Sequence, residues 1–129
     1  MNIMRTLITN LSFIAVMLFS INAIGQITDP NRATEVQEQK ADKIVLQFND
    51  VLSLTEKQEL LFKKKQAEFI YANENVLTSD RSKKEINSML LALYEEQNNE
   101  MKEILTQPQI DIYIEKRPIY DPLLVILEE

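Results

Sequence analysis

The 129-residue chain contains no cysteine, no histidine and no tryptophan, and its single glycine is Gly25. Without cysteine no disulfide can staple the fold, which must rest on core packing. Without histidine or cysteine there is no Ser-His or Cys-His nucleophile pair, and the usual zinc and copper ligands are missing. Beyond Gly25 no glycine is left for tight β-hairpins or phosphate-cradling loops, which counts against nucleotide binding and ATP-driven action. Basic residues are outnumbered, 14 Lys and Arg against 20 Asp and Glu. That balance counts against a nucleic-acid partner, because affinity for phosphates comes from clustered cations. The four prolines, Pro30, Pro108, Pro118 and Pro122, leave Asn31 to Gln107 uninterrupted, which is helical territory.

What is present begins with a targeting pattern. Arg5 precedes a mostly apolar stretch from Leu7 to Phe19, and Ala23-Ile24-Gly25 places small residues before a cut. Leu7 to Ile24 approaches the length of a membrane span, but Thr9, Asn10, Ser12, Ser20 and Asn22 weaken it, and an anchor needs no small-residue site. No cysteine follows that a lipoprotein pathway could acylate. The expectation is a signal peptide over 1–25, cleaved after Gly25, then a helical domain over 26–117 and a tail over 118–129. Cleavage leaves 104 residues, with 13 basic against 20 acidic side chains and a net charge of −7. A domain of that size buries only about two thirds of its unfolded surface, so dimerisation would thicken a thin core.

Apolar spacing predicts four helices. Asp29-Pro30 suits an N-cap and N1 pair, and Ala33, Val36, Ala41, Ile44, Val45, Phe48, Val51 and Leu52 follow at helical intervals, predicting a helix from about Pro30 to Leu52. The second, Glu56 to about Leu77, spreads Leu60, Leu61, Phe62, Phe69, Ile70 and Val76 over more than one face, predicting contacts on two sides. The third, Lys83 to Leu105, carries Ile86, Met89, Leu90, Leu93 and Met101 on one stripe. Thr78 to Arg81 between them is a short polar turn, which makes the two antiparallel neighbours. From Pro108 the alternation of Ile110, Ile112 and Ile114 fits a strand as well as a helix; we take it as a short helix that Pro118 ends. The apolar run Leu123 to Leu127 is too short to span a membrane.

Two segments share the pattern LTxxQ: Leu54-Thr55-Glu56-Lys57-Gln58 and Leu105-Thr106-Gln107-Pro108-Gln109, with threonines 51 residues apart. Each reads as a capping box, in which the N-cap threonine accepts from the N3 amide and the N3 glutamine reaches back to the N-cap amide. Leu105 finds Ile110 at the stapling position, whereas Leu54 finds Glu59 and must pack on neighbours such as Leu60. Ser82 with Glu85 forms a third box at the start of the third helix.

This arrangement resembles the Spy/CpxP family of periplasmic proteins over Ala41 to Arg117, in its doubled LTxxQ and in the order of its helices. The resemblance implies an all-α, four-helix hairpin architecture assembled as an antiparallel, cradle-shaped homodimer in the periplasm. It also implies that Leu54, Thr55, Gln58, Leu105, Thr106 and Gln109 are architectural, with no catalytic residue. Family members include ATP-independent chaperones for unfolded or stressed envelope proteins, regulators that dock on a sensor-kinase ectodomain, and metal binders. Absent His and Cys argue against the last, and no cofactor is expected. This chain departs from the chaperones in charge, since their client-facing surface is basic while only Lys63-Lys64-Lys65 and Lys83-Lys84 form basic patches here. Glu95, Glu96 and Glu100 read as a solvated face rather than as an acid/base pair. Chaperone, regulatory adaptor and purely structural helical protein all stay open.

Overall fold

The computed structural model describes residues 34–126. The expected signal peptide, its cleavage site and the Asp29-Pro30 helix start lie outside the described residues. Within them the fold is all-α, with four helices and no strand: α1 Glu35–Leu52, α2 Glu56–Leu77, α3 Lys83–Met101 and α4 Gln107–Tyr120. No described helix is long and apolar enough to cross a membrane.

Three boundaries differ from expectation, each for a local reason. A helix cannot run from Pro30 to Leu52, because Thr34 is extended (φ −67°, ψ 164°) and its amide donates to the Gln37 carboxamide, so α1 opens at Glu35. The third helix stops at Met101, not at Leu105. There the turn tightens, Ile104 N–H donating to the Met101 carbonyl at 3.1 Å and Leu105 N–H to the same oxygen at 2.9 Å. The fourth helix, by contrast, runs through Pro118 to Tyr120. Proline removes one bond to the carbonyl four residues back, but that residue, Ile114, is exposed, and the last turn is held by Arg117 and Tyr120 packing inward.

Helix α1 packs between α2 and α4, and α2 packs on α3 through its other side. One core joins Val45, Phe48 and Leu52 of α1 to Phe62 of α2, to Met101 and Leu105, and to Ile110 and Tyr113 of α4. Phe48 is its hub, with ring centroids 5.4 Å from Phe62, 5.0 Å from Tyr113 and 5.1 Å from Tyr120. Such tilted and edge-on pairs add about 0.5–1.5 kcal/mol each beyond their buried area. Leu105 and Ile110 bury together as the hydrophobic staple requires. Leu54 packs against this core too, while Leu60, 69% exposed, falls on the solvent side of α2 together with Leu61.

Between α1 and α2 the chain turns at Ser53, which adopts φ 52°, ψ 57°. This left-handed conformation costs a non-glycine residue about 1–2 kcal/mol. Here it allows Ser53 N–H to reach the Asn49 carbonyl at 3.0 Å, and the Asn49 side chain to accept from Leu54 N–H at 2.9 Å.

Candidate functional site

The fold brings the two LTxxQ motifs into contact. At the start of α2 the Thr55 hydroxyl accepts from Gln58 N–H at 3.2 Å, and Thr55 N–H donates to Gln58 Oε1 at 3.1 Å. At the start of α4, Thr106 N–H donates to Gln109 Oε1 at 2.9 Å. Each glutamine still has its amide hydrogens to place. Gln58 Nε2 donates to Gln109 Oε1 at 2.8 Å and to the Ile104 carbonyl at 3.1 Å. Gln109 Nε2 donates to Gln58 Oε1 and to the Leu52 carbonyl, each at 3.2 Å. The two carboxamides therefore form a cyclic pair across 51 residues of sequence, and their remaining hydrogens satisfy carbonyls near the ends of the two preceding elements.

That geometry explains why the third position is glutamine. Glutamate would close the capping box equally well, but it has no N–H to donate outward. Thr34 and Gln37 repeat the device at the start of α1, where Gln37 Nε2 donates to Glu74 Oε2 at 2.6 Å near the end of α2. This third T-x-x-Q lacks the preceding leucine, Ala33 standing there, which is why a search for LTxxQ passes over it. Three helices thus begin with a box whose glutamine docks on another element.

A second polar cluster lies deeper. Gln66, Gln97 and Arg117 are each no more than 2% exposed. Arg117 Nη2 donates to Gln97 Oε1 at 2.6 Å, Gln97 Nε2 to Gln66 Oε1 at 2.8 Å, and Gln66 Nε2 to Asp121 Oδ2 at 3.2 Å. The ring closes where Arg117 Nε meets the same Asp121 oxygen at 3.4 Å. Arg117 Nη1 donates to Asn98 Oδ1 at 2.8 Å and to the Tyr94 carbonyl, and the guanidinium stacks 3.5 Å from the Tyr94 ring centroid. A buried charge requires such dense satisfaction. The sequence did carry a signal for it: Gln66, Gln97 and Arg117 fall on the apolar stripes of α2, α3 and α4, as in Leu93, Gln97, Met101 and Ile110, Tyr113, Arg117.

Beside this cluster lies a cleft of about 270 Å³ whose lining combines Ile44, Ile70, Leu90 and Tyr120 with the charged Lys40 and Glu74, and Leu123 runs along its edge. The segment after α4 borders the cleft and is tied to α3 at its far end. Asn87 Oδ1 accepts from Ile126 N–H at 2.7 Å, and Asn87 Nδ2 donates to the Ile126 carbonyl at 2.9 Å.

Two lysines of the basic patches read from the sequence are paired. Lys63 meets Asp42 at 2.8 Å, and Lys65 lies 3.3 Å from Glu68 and 3.6 Å from Glu100. Burial alone would lower the Lys65 ammonium, but Glu68 and Glu100 hold it above its ordinary range. The Glu96 carboxyl is pushed up, first by burial and then by Glu100. Of the sequence-derived carboxylates, Glu100 serves an ion pair with Lys65, and Glu96 lies in the field of both.

No family model, no curated protein and no solved structure matches this chain.

Proposed function

We propose that this chain is a periplasmic, ATP-independent, chaperone-like binding protein that holds unfolded or stressed envelope proteins, working as an antiparallel, cradle-shaped homodimer after removal of residues 1–25. The observation that carries the reading is the junction of the two LTxxQ motifs. Gln58 and Gln109 lock the start of α2 to the start of α4, which fits the Spy/CpxP resemblance and gives the motif a structural rather than a chemical task. Support also comes from the apolar side chains left on the surface. Leu46, Leu60, Leu61, Leu91, Ile114 and Ile119 are all at least 41% exposed on a body whose core is closed without them, as a surface for non-native chains requires. Holding such chains needs no nucleotide, metal or covalent step.

The test is an aggregation assay. Residues 26–129, added in stoichiometric amounts to a denatured client, should delay its light scattering, and a chain without effect on several unrelated clients overturns the reading. Crosslinking and pull-down from envelope extract should return many partners. A single dominant partner would favour a regulatory adaptor.

A further inference from the structure

The chain beyond α4 is held at two points and loosely between them. At one end Asp121 is bound by Gln66 and Arg117, at the level of Gln97 on α3; at the other, Ile126 is bound by Asn87, ten residues earlier on the same helix. Ten helical residues rise about 15 Å, and the five residues from Asp121 to Ile126 reach at most about 17 Å. A helical segment would fall short of that span, and residues 122–126 are accordingly non-helical.

Three features describe what this seat recognises. Asn87 grips main chain alone, one donor and one acceptor of a single residue, so it accepts any residue with a backbone N–H. The tail's own side chains fit poorly, Leu124 and Val125 being 46% and 56% exposed and Leu123 and Ile126 only half-buried. The cleft of about 270 Å³ beside Leu123 and Leu124 stays unfilled, slightly below the size usual for small-molecule pockets and open to a side chain larger than leucine.

We propose that this seat is a receptor groove for an apolar, non-helical stretch of a non-native polypeptide, and that Pro122–Ile126 is its resident occupant in cis. The inference rests on the chaperone-like reading and names its contact. An incoming chain takes the main-chain bonds of Asn87, places a bulky apolar side chain in the cleft and displaces the tail. A segment held without full burial leaves at low cost, and its occupancy sets how tightly the groove takes a competitor.

The experiment uses a fluorescein-labelled peptide with the sequence of Asp121–Ile126, read by anisotropy. A tail held in place for most of the time weakens the peptide's apparent affinity by about tenfold. Leu123→Asp in the protein, which loosens its own tail, should therefore tighten binding by that factor. Phenylalanine at the first leucine of the peptide should tighten it further, and Asn87→Ala in the Leu123→Asp background, or N-methylation of the peptide's last amide, should abolish it. Equal affinity for wild type and Leu123→Asp, or indifference to Asn87→Ala, overturns the groove. If Leu123→Asp lowers the helical melt, the wild-type chain supplies the reading: excess peptide should speed amide exchange at Ile126, and unchanged exchange overturns the proposal. A chain that delays client aggregation but whose tail-loosened variant takes up no additional peptide places client contact elsewhere and sinks the groove. Peptide uptake by a chain that delays no aggregation keeps the groove and sinks the chaperone reading.

Discussion

Arg117 and Gln97 meet at 2.6 Å with both side chains almost wholly removed from solvent. The bond couples α4 to α3, two helices whose shared contact is otherwise slight, and it does so with a cation that every neighbouring acceptor must satisfy. Losing one member of a buried charged network costs about 3–5 kcal/mol where the partner is fully buried.

Arg117→Lys keeps the charge but not the fork, since one ammonium cannot serve Gln97, Asn98, Tyr94 and Asp121 from the positions of three nitrogens. We expect a loss near the lower end of that range, because Asp121 retains some access to water. Arg117→Met should cost no more than Arg117→Lys. Urea denaturation of both variants checks the order, and an unchanged midpoint for Arg117→Lys would show that the fork is dispensable.

Gln58→Glu preserves the capping box but removes both outward hydrogen bonds and sets a carboxylate against Gln109 Oε1. A loss of about 1–3 kcal/mol is expected, and the losses from Gln58→Ala and Gln109→Ala should not add, because each removes the same reciprocal pair of bonds. A double-mutant cycle by chemical denaturation measures the coupling, expected at about 0.5–3 kcal/mol. Additive effects would mean that the cyclic pair contributes nothing.

The Tyr113 hydroxyl is buried with no hydrogen-bond partner among the described residues, and burial pushes its phenol well above the ordinary range. Tyr113→Phe removes an unsatisfied group while keeping the ring against Phe48 and Phe62. Stability should rise by about 1 kcal/mol. A lower melting temperature for Tyr113→Phe would require a partner for that hydroxyl.

Glu74 and Glu96 should bend the acid limb of stability in opposite directions. Burial raises the Glu74 carboxyl, but bonds from Lys40 and Gln37 outweigh it and hold the group below 4.5. Its contribution is present above that value and is lost as pH falls through the folded pKa. Glu96, raised by burial and by Glu100, contributes in its neutral form, and that contribution is lost as pH rises. Glu74→Gln should thus flatten the decline of melting temperature on acidification, and Glu96→Gln should steepen it while stabilising the chain at neutral pH. Parallel pH profiles for both variants and the wild type would contradict the assignment.

Most of the architecture was legible because it is written in local chemistry. Thr55 with Gln58, Ser82 and Thr106 with Gln109 mark three helix starts by residues whose capping bonds are made within four positions, so no tertiary knowledge is needed to find them. The ends were harder. Met101 and Leu105 lie on one apolar stripe, and nothing in their spacing distinguishes a continuing helix from a tight turn that buries both. Pro118 was read as a stop because its local cost is plain, while the packing of Arg117 and Tyr120 that outweighs it is long-range. The polar ring was hidden for the same reason: a glutamine on an apolar stripe looks like an imperfection until the glutamine or arginine facing it is known. The pairing of Gln58 with Gln109 could have been suspected from the repetition of the motif, but only the fold places one copy against the other.

Ser53 bears on how the molecule could move. A serine at φ 52° sits in the narrow left-handed well, above its own preferred wells in energy, and two bonds to Asn49, from the Ser53 and Leu54 amides, hold it there. The corner is braced by Asn49 and not by any stiffness of the serine itself. Releasing those bonds would let Ser53 relax at a gain of about 1–2 kcal/mol, so the angle between the first two helices is set by Asn49 as much as by their packed faces.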